Sequence, residues 1–142
     1  MVSNSTIRVD SYAAIRGYIN SALSGDGVTV VTSFPKNNSD LPAVVLPMQT
    51  ISTERSALTS GAFTGTYKVE AMLDVYTTAE SGQGPAKIAA VLDAIQNYLE
   101  TTDISSDNLI YEDIDASDIS RFEHNEQTLY NAGVILSFTL TA

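Results

Sequence analysis

The stretch TGTYKVEAMLDVYTTAESGQGPAKIAAVLDAIQNYL, Thr64–Leu99, decides the fold. Its first part alternates: Tyr67, Val69, Ala71, Leu73 and Val75 fall between Thr66, Lys68, Glu70, Met72, Asp74 and Tyr76. Successive side chains of a strand point to opposite faces, so this period of two predicts a strand with one buried and one outward face. After Gly82-Gln83-Gly84-Pro85 the period changes. Ile88, Val91, Leu92, Ile95, Tyr98 and Leu99 recur at helical spacing and draw one apolar stripe down a helix, Lys87–Leu99. Pro85 suits its first turn, where the amide that proline lacks has no intrahelical partner. The unit supplies architecture and no chemistry.

Upstream, a helix is predicted from about Asp10 to Leu23, with Asp10 as N-cap and Tyr12, Ile15, Ile19, Ala22 and Leu23 as its buried stripe. Gly17 inside it suggests the close approach of another backbone. Gly25-Asp26-Gly27 ends the helix and turns the chain. Val28–Phe34 reads as a β-branched strand stopped by Pro35, and Ala43–Ser52 as the next strand. Pro47 cannot donate to a ladder, so it predicts an edge or a bulge there. Glu54–Gly65 reads as a small-residue loop carrying Arg55, Leu58 and Phe63. It is long for a tight hairpin, and loops of that length are often functional. A mobile surface loop is the plain alternative.

Downstream, Leu109–Ile114 and Ile119–His124 are short candidate strands, and Leu129–Leu140 closes the chain. Tyr130, Ala132, Val134, Leu136 and Phe138 there alternate with Asn131, Gly133, Ile135, Ser137 and Thr139. The predicted order is α-β-β-β-α-β-β-β. The expected class is α+β, a largely antiparallel sheet with two main helices packed against it, in a single domain over residues 1–142. Met72, Tyr76 and Ile135 fall on the faces opposite the inferred core. Either the first helix covers that face, or a subunit interface does.

Composition excludes several functions. Acids number 17 against 7 Lys+Arg in 142 residues, a net charge of −10. Such a chain repels phosphate backbones and anionic membranes, so neither nucleic acid nor a bilayer is expected as a partner. No cysteine is present, which removes disulfides, zinc-thiolate sites and thiol chemistry. Met1–Thr6 is neither basic nor apolar and does not read as a secretory signal. Dense carboxylates with few lysines fit either a protein built for high salt or ordinary solubilising charge.

The search for chemistry is short. Gly82-Gln83-Gly84 imitates the start of a dinucleotide fingerprint, but Lys87 stands where the third glycine belongs. It reads as a strand-to-helix turn, and no cofactor is expected. His124 is the lone histidine and sits between Glu123 and Glu126 in a polar setting, as an exposed turn residue would. No Gly-x-Ser-x-Gly elbow supplies a nucleophile. The segment 100–126 is rich in acids, yet counting an EF-hand from Asp113 puts Asp118 at the glycine position and His124 at the glutamate position. A solvated acidic face is the expectation, with an irregular oxygen site for a cation as the alternative. No catalytic residue and no metal ligand is expected, and the chain is not expected to be an enzyme.

The pattern as a whole resembles the tail terminator (tail completion) proteins of long-tailed phages and related viruses. The resemblance runs over nearly the full chain. It includes a helix, Ile7–Leu23, leading to a strand that ends at Phe34-Pro35, then Leu41-Pro42-Ala43-Val44-Val45-Leu46 as second strand. Tyr67–Tyr76 and Lys87–Leu99 follow in the family's order, and Arg121-Phe122-Glu123-His124 through Leu129–Leu140 resembles its closing hairpin. The resemblance implies a structural protein of the virion tail or neck, assembled in the host cytoplasm. It implies a hexameric ring that ends the tail tube and joins it to the head connector, with DNA passing through unbound. Its partners would be further copies of itself, the tail tube protein and the connector. Other neck or head-completion adaptors share such sizes and folds and are the near alternative; a small α+β ligand-binding module is the distant one. The family has no catalytic signature to transfer. Arg55, Leu58, Phe63, Met72 and Tyr76 are the candidate subunit or tube contacts, because a charge and apolar anchors on an outward surface suit an interface.

Overall fold

The computed structural model describes residues 4–33, 41–47, 51–58, 65–80, 83–124 and 126–141. In chain order its elements are α1 (Asn4–Ala22), β1 (Thr29–Val31), β2 (Ala43–Val45), β3 (Ile51–Leu58) and β4 (Gly65–Thr78). Then come α2 (Pro85–Thr101), a 3-10 turn at Ser105–Asp107, β5 (Leu109–Ala116), β6 (Ser120–His124) and β7 (Gln127–Thr141). The fold is α+β, with seven strands in one largely antiparallel sheet and two α-helices.

Two long strands form the centre. β4 lies antiparallel to β7, in register from Thr66 opposite Thr141 to Thr78 opposite Leu129. Each carries two shorter strands on its far edge. β2 pairs with β4 at Asp74–Tyr76, and β3 pairs with it at Gly65–Ala71. β5 pairs with β7 at Val134–Leu140, and β6 at Gln127–Asn131. β1 adds outside β2 as the one parallel pair among the described strands.

The predicted periods hold where they were strongest. Tyr67, Val69, Ala71, Leu73 and Val75 of β4 are buried, as are Ala132, Val134, Leu136 and Phe138 of β7. Ile88, Val91, Ile95 and Leu99 of α2 pack on them, while Leu92 and Tyr98 are half-buried at the side of the stripe. Tyr12, Ile15, Ile19 and Leu23 at the α1 end join the same core, together with Ile7 and Tyr18. Both helices therefore lie on one face of the sheet. The first helix does not cover the face of Met72 and Ile135, which answers one of the two alternatives left open by the sequence.

Several boundaries move. α1 begins at Asn4, so Asp10 stands exposed inside the helix and does not cap it. Ile7 explains the difference: it is buried in the core, and tertiary packing holds the first turns whatever the local capping signal. Gly17 faces solvent, and a Cβ there would meet nothing within 4 Å, so it marks no close backbone approach. Gly25 and Gly27 do end the helix, with φ of +84° and +71° that favour glycine. The Val28–Phe34 strand shrinks to β1, and Phe34 lies outside the described residues. Pro47 falls just beyond the end of β2, a strand flanked by β1 and β4, so it marks neither an edge nor a bulge.

The largest correction concerns Glu54–Gly65. Its first part is strand, not loop. Ala43–Ser52 divides into β2 and the start of β3, and β3 runs on through Glu54 and Arg55 to Leu58. Four strands therefore precede α2 where three were predicted. The lower half of β4 would otherwise leave a row of amides and carbonyls unpaired on that edge, and β3 folds back to take them. A register shift between Arg55 and Ala57 breaks the alternation that would have revealed it.

A second, smaller core sits on the face away from the helices. Leu41, Ala43 and Leu129 are buried there, with Tyr76 and Phe122 packed against them. The Tyr76 and Phe122 rings meet edge to face, 6.1 Å between centroids.

Candidate functional site

The face of the sheet opposite the helices is the candidate surface. Its side chains follow from register. Lys68, Thr139 and Ile110 form one row across β4, β7 and β5. Glu70, Ser137 and Asp113 form the next, and Met72, Ile135 and Asp115 the third. Asp74 and Gly133 follow. A bulge in β5 puts the acids there. Register slips between Tyr111 and Asp113, so Glu112 is an extra residue. The slip turns Ile114 inward against the core and Asp113 and Asp115 outward. The apolar spacing Leu109, Tyr111, Ile114, two and then three residues apart, is the sequence signal of that bulge.

Charge on this face is mostly negative. Lys68 Nζ lies 3.8 Å from Glu70 Oε1. Glu112 accepts a hydrogen bond from the Thr139 hydroxyl at 2.9 Å. Beyond the paired rows Gly133 donates its amide to Ser117 Oγ at 2.9 Å, and Ser117 donates its amide back to the Gly133 carbonyl at 2.8 Å. These bonds hold the chain between β5 and β6 against β7. A shallow depression of about 330 Å³ results, lined by Met72, Asp74, Asp115, Ser117, Gly133 and Ile135 among others. Its floor is apolar and two carboxylates stand at its sides. Met72 is 52% exposed.

The structure places four of the five predicted contact residues. Met72 is at the centre of the surface. Tyr76 is half-buried in the second core, and that burial, with Asp74 nearby, pushes its phenol pKa up. It packs against Leu41, Ala43 and Leu129 on the face away from the helices. Arg55 and Leu58 lie in β3, opposite Tyr67 and Gly65, so they are ladder residues and not a loop tip. Phe63 lies outside the described residues. Sequence reasoning missed Ile110, 55% exposed, which the outward phase of β5 could have revealed, and Val9, 50% exposed on α1.

A wider groove of about 540 Å³ separates the start of α1 from the ends of β5 and β7. Ile7, Asp10, Ser11, Ala14, Asp107 and Leu140 line part of it. It is open to solvent. Nearby, the Tyr18 hydroxyl donates to Asp107 Oδ2 and ties α1 to the 3-10 turn.

The glycine-rich turn is built for structure. Gln83 Oε1 accepts the Thr78 amide at 2.9 Å, and its Nε2 donates to the Leu41 carbonyl at 3.4 Å. Thr77 Oγ1 donates to the Gly84 carbonyl at 3.0 Å, and Pro85 opens α2. Gly82 lies outside the described residues. β4 runs antiparallel to β2, β3 and β7, so strand and helix do not belong to the parallel unit that carries a dinucleotide fingerprint. Asp113, Asp115 and Asp118 do not converge with other ligands: among the described residues no three carboxylate or imidazole groups could hold a metal ion. His124 ends β6 opposite Gln127 and is half-exposed. Among the described residues, no helix is long and apolar enough to cross a membrane.

No protein-family model matches the chain, and comparison with curated proteins gives no match.

Proposed function

We propose that this chain is a structural subunit of a viral tail, a tail terminator that assembles as a six-fold ring between tail tube and head connector. One observation carries the reading. Both helices cover the same face of the sheet, and the opposite face, with Met72 and Ile135 at its centre, is left to something other than the chain's own helices. A subunit that builds a closed ring needs such outward faces and strand edges, and ring closure hides them by head-to-tail contacts. The charge agrees with a conduit. A net charge of −10 disfavours binding to DNA, so DNA would slide through a lumen of this protein without being held. The virion tail or neck is the proposed location, with tube and connector proteins as partners.

Light scattering on the purified chain tests the reading. The expected mass is that of six chains, with a ring visible by negative stain. A monomer at every concentration and salt would refute it.

A further inference from the structure

The outward face of α1 complements the bare face of the sheet. Val9, Ala13 and Gly17 recur along the exposed side of the helix with Arg16 beside them. The small residues make that side smooth: nothing lies within 4 Å of a Cβ placed on Gly17. α1 is also the one described element with a net positive charge, Arg8 and Arg16 against Asp10. Neither arginine has an ion-pair partner among the described residues. On the other side of the sheet, Met72 and Ile135 floor a shallow depression between Asp74 and Asp115. One surface is apolar and basic, the other apolar and acidic. They sit on opposite sides of the same sheet, so they cannot meet within one copy.

We propose that α1 of one copy docks on the bare sheet face of the next, with Val9 and Ala13 over Met72 and Ile135 and Arg16 against Asp115 and Asp74. The occupant is a second copy of this chain, and the argument is the match of charge and apolar surface between two faces of one molecule. The contact is head-to-tail: each copy offers a helix to one neighbour and a sheet to the other. Such a contact closes into a ring when its rotation divides a full turn. A helix of 19 residues is about 28 Å long, enough to lie along the sheet. The proposal rests on the self-assembly part of the ring reading and specifies the surfaces that make it.

Charge exchange tests it. Arg16→Glu and Asp115→Arg are measured singly and together by light scattering over a dilution series. Each single change should raise the dissociation constant of the assembly about tenfold, and the pair should recover most of the loss. If the native chain assembles but the single changes leave its mass unaltered, or the pair does not recover, this contact is wrong and the ring reading stands. If the native chain is monomeric throughout, both fall. A second measurement does not depend on charge. The chain has no cysteine, so Val9→Cys and Met72→Cys in one chain can bridge only between copies. Oxidation should give a ladder of covalent multimers. A single monomer band from a chain that assembles overturns the proposal.

Discussion

Tyr18 joins three parts of the molecule through one side chain. Its ring lies 6.4 Å from Tyr98 of α2 and 6.4 Å from Phe138 of β7, and its hydroxyl donates to Asp107. Burial comes first, then the hydrogen bond to Asp107 and that carboxylate's charge; together they push the phenol pKa above its ordinary 10.0. Burial also raises Tyr111, helped by Glu100 and Asp113. A raised phenol pKa means that the folded state holds the proton more tightly than the unfolded chain does. The resulting stabilisation is complete below about pH 10 and is lost as pH rises through the folded value. Tyr18→Phe removes the hydroxyl. It should cost about 1 kcal/mol at neutral pH and make the alkaline fall in stability shallower. Urea denaturation at neutral pH and above pH 10 measures both, and an alkaline limb as steep as that of the native chain would refute the account.

At the scale of elements, β7 shows that alternation alone does not assign burial. Leu129 and Ile135 share the outward phase of the strand. Leu129 is buried in the second core against Leu41 and Phe122, while Ile135 is half-exposed on the bare face. Leu129→Ala should therefore cost about 2–4 kcal/mol, close to an inner-face change, and Ile135→Ala below about 1 kcal/mol. Denaturation midpoints with unchanged slopes give the ranking, and equal costs would contradict it. The same strand marks the limit of what its residues reveal. β4 and α2 were legible because each has a long periodic run and a matching break, Gln83-Gly84-Pro85. β3 was not, because Ile51-Ser-Thr-Glu-Arg-Ser-Ala-Leu58 is mostly polar and bulged, and its strand state is imposed by the partner it pairs with. The start of α1 was hidden for a similar reason, since Ile7 is held by the core and not by a cap. The candidate surface was legible at Met72 and Ile135, whose outward phase the alternation of both strands gives. Tyr76 keeps its outward phase but is half-buried there beside Leu41 and Phe122, residues distant in sequence, and the phase slip of β5 moved Asp113 and Asp115 outward.

For the molecule as a whole, the charge of −10 repels itself. Acids outnumber cations on the face opposite the helices and along β5, and the Lys68–Glu70 pair offsets only part of that charge. Raising salt from about 0.01 M to about 1 M shortens the screening length from about 30 Å to about 3 Å. The melting temperature should rise over that range, and a calorimetric trace indifferent to salt would argue against a strained charge balance. The topology also orders events in time. β7 is the ladder partner of β4, β5 and β6, and it follows all three in the chain, so it leaves the ribosome after them. Until it emerges, β5 and β6 have no described strand to pair with, and β4 keeps one edge open. The nascent chain can gather α1, β2, β3, β4 and α2 around half a sheet, but the other half must wait. Synthesis therefore leaves that half of the sheet without its central strand until β7 emerges, and the face that Met72 and Ile135 share comes into being only then.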